Sequence, residues 1–109
     1  MYFLKVIKVK NTLGTINLPK KSRITLGFKP GTMVEVHLYN KEIWIYHSNH
    51  DEKKNQRYIS AKGTVTIPAE FRHILNIKIN TELHLYSDEE KQTYIIRLAN
   101  REKNHIHLH

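Results

Sequence analysis

Basic side chains flank a short glycine-to-proline segment that occurs twice in the chain. The shared positions are Gly14, Pro19 and Arg23 in the first segment and Gly63, Pro68 and Arg72 in the second. Lysine and arginine neutralise phosphate groups and release counterions, and arginine can also donate two hydrogen bonds to guanine. The chemistry that this pattern predicts is recognition of a polyanion, with nucleic acid as the first candidate.

The charge balance agrees with a polyanionic partner. The chain of 109 residues carries 18 Lys and Arg against 10 Asp and Glu, a formal net charge of +8. Residues 1–47 hold eight basic and two acidic residues, whereas residues 57–98 hold six and five. The positive field is therefore predicted to belong mainly to the first half. A soluble basic surface without a specific partner is the alternative interpretation.

Other chemistry has less support. The chain contains no cysteine, so disulfides and cysteine zinc sites are excluded. We find no motif of a nucleophile, a phosphate-binding loop or a zinc protease, and we predict no catalytic residue and no cofactor. His105, His107 and His109 alternate near the C-terminus, but we interpret them as a flexible tail and not as a metal site.

No apolar run approaches the ~20 residues that a membrane-spanning helix needs. We therefore expect a cytoplasmic protein with no membrane partner, and the nucleic-acid partner that the charge predicts would make it nucleoid-associated.

Hydrophobic alternation predicts the elements that position the basic residues. The expected strands are residues 2–10, 15–18, 32–39 and 42–47 in the first half and 57–61, 64–67, 81–87 and 92–98 in the second. A short helix is expected after each proline. In the second helix, Phe71, Ile74 and Leu75 should form the buried face, while Arg72 and His73 point outward. Glu35 is expected on the outward face of its strand.

The repeat predicts the domain organisation. The two segments align without a gap at a separation of 49 residues. We therefore expect a first copy at residues 1–47, a linker at 48–56, a second copy at 57–98 and a polar tail at 99–109. Each copy alone would bury too little surface for comfortable stability, so the two copies should share one core.

The second segment resembles the AbrB/MazE/SpoVT family, whose recurring element is similar to R-x-I-[ST]-x-K-G-x-V-T-I-P-x-x-x-R-x-x-L-x-I. The matching residues are Arg57, Ile59, Ser60, Lys62, Gly63, Val65, Thr66, Ile67, Pro68, Arg72, Leu75 and Ile77. In the first segment, Lys8 stands for the leading arginine, Leu13 for the lysine and Asn17 for the threonine. Together the resemblance covers about residues 5–98.

The resemblance implies a mainly β fold: a swapped-hairpin β-barrel made by two tandem copies in one chain, each βββ/short-helix/ββ, as a pseudo-dimer. It also implies a sequence-selective regulator of transcription, usually a repressor, that binds double-stranded DNA. The DNA-binding residues carried over by position are Lys8, Lys10, Arg23, Arg57, Lys62, Arg72 and His73. Charge and location add Lys20 and Lys21.

Two alternative functions stay open. The first is an antitoxin that binds a toxin and regulates its own operon, although the predicted tail is short and slightly basic. The second is a protein-interaction module without DNA binding, for which Trp44 and Tyr46, with Tyr39 near the turn, form a candidate patch for self-association or a partner. The competing interpretation of that patch is packing against the other copy.

Overall fold

The structure is a computed structural model that describes residues 1–48 and 55–99. Its elements in chain order are β1 (Tyr2–Lys8), β2 (Thr15–Asn17), α1 (Lys20–Leu26), β3 (Met33–Tyr39), β4 (Glu42–His47), β5 (Gln56–Tyr58), β6 (Thr64–Thr66), α2 (Ala69–Leu75), β7 (Glu82–Asp88) and β8 (Thr93–Leu98). The order strand, strand, helix, strand, strand thus occurs twice. Most of the predicted linker and nearly all of the predicted tail, with its three alternating histidines, lie outside the described residues.

The fold is mainly β, as predicted. Six strands form one sheet in the order β1-β7-β8-β4-β3-β5, and β2 pairs with β6 in a separate two-stranded ribbon. All neighbouring strands are antiparallel. The first strand of each half pairs with the third strand of the other half, so the halves exchange strands.

The six-stranded sheet is not closed. Its described edges are β1 and β5, and the remaining strands β2 and β6 pair with each other and not with these edges. The expectation of a closed barrel is therefore not met by the described strands. Neither described helix is long and apolar enough to cross a membrane.

Both halves contribute to one hydrophobic core, as the small size of each copy predicted. The core contains, among others, Ile16, Leu26, Phe28 and Val36 from the first half and Val65, Phe71, Leu83 and Leu85 from the second. Tyr94 is fully buried in it, and its hydroxyl meets Ser22 Oγ at 2.6 Å. Burial raises the pKa of Tyr94 to about 12, while Ser22 and Arg23 partly oppose the shift.

Glu35 lies opposite Tyr46 on the outward face of its strand, as predicted, but only 6% of its surface is exposed. Ser48 Oγ donates to its carboxylate at 3.3 Å, and His37 Nε2 lies 3.2 Å from it. The prediction that Ile74 belongs to the buried face of α2 is wrong, because Ile74 is 58% exposed. Phe71 and Leu75 lie one turn apart and define the inner face of α2, whereas Ile74 is rotated about 100° from Leu75.

Candidate nucleic-acid interface

The β2–β6 ribbon presents a narrow polar face. Its central pair, Ile16 opposite Val65, is buried and joins the core. Because side chains alternate along a strand, the flanking residues point the other way. They are Thr15, Asn17, Thr64 and Thr66, with Thr15 opposite Thr66 and Asn17 opposite Thr64. The exchange of strands thus brings four polar side chains from both halves together.

Each end of the ribbon is extended by the glycine turn of the other half. Leu18 N–H donates to Gly63 O at 3.0 Å, and Ile67 N–H donates to Gly14 O at 2.9 Å. Both glycines have positive φ, 79° for Gly14 and 81° for Gly63, which residues with a Cβ adopt at a cost.

Each arginine covers the glycine turn of the other half. Arg23 Nε donates to Leu18 O at 2.9 Å, and its guanidinium lies over Gly63 so closely that an added Cβ there would be 2.4 Å from Arg23 Cζ. Arg72 repeats this arrangement over Gly14 and donates through Nε to Ile67 O at 3.0 Å. The two arginines are therefore structural residues as well as candidate ligands of DNA.

The prediction that Arg72 points outward is wrong, because the side chain is half-buried against the turn. A second bond ties it there: its Nη1 donates to Thr12 O at 2.8 Å. A guanidinium has five N–H donors. Within the described residues Arg23 uses one and Arg72 uses two, so Arg23 keeps four donors for a ligand and Arg72 keeps three.

The exchange of turns also determines which lysines lie at which end of the ribbon. Lys20 and Lys21 are exposed at the start of α1, and Lys62 immediately precedes Gly63, the residue that Arg23 covers. Lys62, although it belongs to the second half, therefore lies at the same end of the ribbon as Lys20, Lys21 and Arg23. The corresponding start of α2 carries Ala69 and Glu70.

Lys10 and His73 lie at the opposite end of the ribbon. Both are exposed. Lys10 N–H donates to Thr15 O at 2.9 Å, at the base of the turn that Arg72 covers, and His73 follows Arg72 on α2. The structure thus divides the predicted basic residues between two unequal ends.

The alignment of Lys8 with Arg57 is wrong. Lys8 lies opposite Glu82 in the β1–β7 pair. In the first half the equivalent of Glu82 is Met33, and the residue that lies opposite Met33 is Tyr58. Lys8 therefore corresponds to Tyr58. The physical reason is that the turn after β1 is one residue longer than the turn after β5, which a gapless alignment could not detect.

Arg57 occupies the position that Ile7 has in the first half. Ile7 is buried, whereas Arg57 is half-buried and its Nη1 donates to Gln56 O at 2.8 Å. It lies opposite Val34 of β3. The described contacts of Arg57 are thus made within the six-stranded sheet and not with the ribbon.

Sequence reasoning did not identify the polar ribbon face as the centre of the site. The alternation of Thr64, Val65 and Thr66 was visible, but the pairing of β2 with β6 was not. Lys29, which lines a cleft with Lys20 and Arg23, was also not identified, although the repeat pairs it with Lys78. The signal that could have found it is this repeated lysine directly after each helix.

The aromatic patch lies on the sheet face opposite the core. Trp44 is half-buried opposite Ile95 of the second half and stacks on Tyr46 at 5.9 Å, with Lys91 Nζ 5.5 Å from the Trp44 ring. Tyr39 remains 69% exposed. Packing against the other half thus explains Trp44 but leaves an exposed aromatic rim.

The described histidines and carboxylates do not form a metal-binding group. Within residues 1–48 and 55–99, no cluster of three or more His, Asp or Glu side chains has a suitable arrangement.

Comparison with known families bears on the second half. Residues 56–103 match the model of the antidote-toxin recognition family MazE, a bacterial antitoxin. This part of the chain is similar to MazE antitoxins. The match begins at β5 and includes the second glycine–proline segment, which supports the AbrB/MazE-like resemblance there. The chain matches no curated protein and no solved structure.

Proposed function

We propose that this chain is a sequence-selective regulator of transcription that binds double-stranded DNA as a single-chain pseudo-dimer. The observation that carries the proposal is the polar ribbon face with an arginine anchored at each end. The major groove of B-DNA admits a two-stranded β-ribbon, and base edges there carry a distinct donor and acceptor pattern. The MazE-like match of residues 56–103 agrees with such a regulator.

Asn17 is the strongest candidate for direct base readout. It is exposed, and within the described part of the chain its amide makes no hydrogen bond. An asparagine amide can bond N6 and N7 of adenine. The equivalent residue is Thr66, while the hydroxyl of Thr64 is already held by Ser60 Oγ at 2.6 Å. The two halves of the ribbon therefore present different groups, which favours an imperfect palindrome as the target.

The exposed lysines supply affinity and not base preference. Lys20, Lys21 and Lys62 are exposed, and each phosphate that such a charge neutralises steepens the salt dependence of binding by about 0.9 in log–log units. We expect Lys21→Gln to weaken binding to all sequences equally.

Selection from random duplex DNA at two salt concentrations tests the proposal. We expect an enriched sequence for the native protein, a change in one half of that sequence for Asn17→Ala, and a change in the other half for Thr66→Ala. Lys41→Gln, on the β3–β4 turn, is the control that should leave the sequence unchanged. Binding without any enriched sequence, or an unchanged sequence for Asn17→Ala, would contradict base readout by the ribbon.

A second candidate function is that of an antitoxin that also regulates its own operon. The MazE-like match favours it, and the exposed rim around Trp44 offers a surface for a protein. The test is co-expression with a toxin, with growth as the measurement. If Tyr39→Ala and Tyr46→Ala no longer rescue growth while Asn17→Ala still does, the toxin binds this face. Rescue that survives both tyrosine substitutions would exclude the rim as the toxin contact.

A further inference from the structure

We propose that a phosphate-binding cleft beside the ribbon grips the DNA backbone on one flank of the target and thereby fixes the direction in which the protein binds. This inference rests on the proposed DNA binding. The cleft lies between α1 and the turn of the second half and has a volume of about 370 Å³. Three cations line it, Lys20, Arg23 and Lys29, and among the described residues no carboxylate does.

The backbone that carries Lys29 is fixed. Gly27 ends α1 with φ of 79°, and Phe28 N–H donates back to Arg23 O at 2.8 Å. The Phe28 ring is buried and stacks on His47 at 4.1 Å, and His47 Nε2 donates to Leu26 O at 2.7 Å. Lys29 therefore starts from a rigid position beside the arginine of its own half.

Arg23 completes the cleft as an anion site. Its Nε is held by Leu18 O, which orients the guanidinium, and its four other N–H groups have no partner among the described residues. A guanidinium matches two oxygens of a phosphate, while lysine acts as a flexible point charge. The fitting ligand is therefore a phosphodiester group, which carries no sequence information.

The equivalent cleft of the second half is weaker. Its volume is about 410 Å³, and its lining cations are Arg72 and Lys78. Arg72 has already donated two N–H groups to protein carbonyls. The position of Lys20 is taken by Ala69, which carries no charge. The two flanks of a bound duplex therefore meet clefts of unequal charge.

This inequality gives binding a direction. A phosphate in the first cleft meets three cations, whereas a phosphate in the second meets two. Because Coulomb attraction scales with the charges in reach, the duplex backbone is held more strongly on the flank of the first cleft. Removing that flank should cost affinity, and removing the opposite flank should cost little.

The test compares Lys29→Gln with two matched variants. Lys78→Gln removes the equivalent lysine of the second half, and Lys41→Gln removes an exposed lysine on the β3–β4 turn. Each variant is titrated with the selected duplex carrying about one helical turn of flank on both sides, on one side or on neither, between about 50 and 200 mM salt.

We expect Lys29→Gln to lower the salt slope by about 0.9, which corresponds to an affinity loss of about eightfold at ~0.1 M salt. It should also abolish the dependence on one flank, and Lys29→Arg should restore both properties. Lys78→Gln should lower the slope by less than Lys29→Gln and keep the native flank dependence, and Lys41→Gln should retain both the native slope and the native flank dependence. The selected sequence should be unchanged in all four variants.

Equal slopes for Lys29→Gln and Lys41→Gln, with native binding intact, would overturn the cleft but leave the proposed function standing. Equal losses for Lys29→Gln and Lys78→Gln would overturn the direction of binding. Failure of the native protein to bind any duplex would overturn the proposed function and the cleft together. Thermal unfolding of each variant separates a binding defect from a folding defect, since these lysines are exposed.

Discussion

Substitution of Gly63 by alanine tests the contact between Gly63 of the second half and Arg23 of the first half. With φ of 81°, a residue that has a Cβ costs about 1–2 kcal/mol relative to glycine. The new Cβ would also lie 2.4 Å from Arg23 Cζ and would displace the guanidinium. The displaced side chain loses its bond to Leu18 O, at about 1 kcal/mol. Gly63→Ala should therefore lower the free energy of unfolding by about 2–3 kcal/mol.

A double-mutant cycle separates these contributions. In an Arg23→Ala background the obstacle and the hydrogen bond are both absent, so Gly63→Ala should cost only the backbone term of about 1–2 kcal/mol. The expected interaction energy is about 1 kcal/mol. Arg72→Ala is the matched control, because Arg72 covers Gly14. Gly63→Ala should cost the same in that background as in the native protein.

Urea unfolding followed by the fluorescence of Trp44, the single tryptophan, measures all four corners of each cycle. Additive effects of Gly63→Ala and Arg23→Ala would refute the packing of that arginine on that glycine. Coupling between Gly63 and Arg72 would refute the exchange of turns between halves. Gly14→Ala should also lower the free energy of unfolding, because Ile67 O, a backbone atom that cannot swing away, lies 3.1 Å from the new Cβ.

Two further predictions concern the core. The raised pKa of Tyr94, about 12 against about 10 in the unfolded chain, means that the native state keeps a proton which the unfolded state loses above pH 10. The free energy of unfolding should therefore fall by up to about 1.4 kcal/mol per pH unit between pH ~10 and ~12. Urea unfolding of the native protein and of Tyr94→Phe should show this fall as a difference between them that changes with pH. A difference that stays constant with pH would contradict the prediction. Leu85→Ala should cost about 2–5 kcal/mol because Leu85 is fully buried, whereas Ile74→Ala on the exposed side of α2 should cost less than about 0.5 kcal/mol; equal values would contradict the assigned faces.

Local sequence signals predicted most of the elements. The two prolines mark the starts of both helices, and Gly27 ends the first with the left-handed conformation that glycine favours. Alternation of apolar residues located the hairpins to within about one residue, because a strand with one buried face must alternate whichever strand it pairs with. The helix faces were less certain, since a two-turn helix offers few positions from which to read a period.

The candidate site was predictable only in part. The arginines, the lysines near them and the basic charge of the first half are properties of the sequence. Their grouping is not: Lys62 lies at the Arg23 end of the ribbon because turns are exchanged, and Arg57 contacts the six-stranded sheet because one turn is a residue longer than the other. A polar residue such as Glu35 is buried by neighbours that its own strand does not specify.

The sequence by itself predicted two similar segments that share one core, and it determined that the chain carries a net positive charge. The tertiary structure decided which unit completes which, and so placed Arg23 over Gly63 and paired β2 with β6. The physical reason is the distance along the chain over which each effect acts. Periodicity, glycine and proline act over a few residues, whereas the contacts that assemble the ribbon join residues about 40 to 60 positions apart, and only the packing of the shared core selects among those pairings.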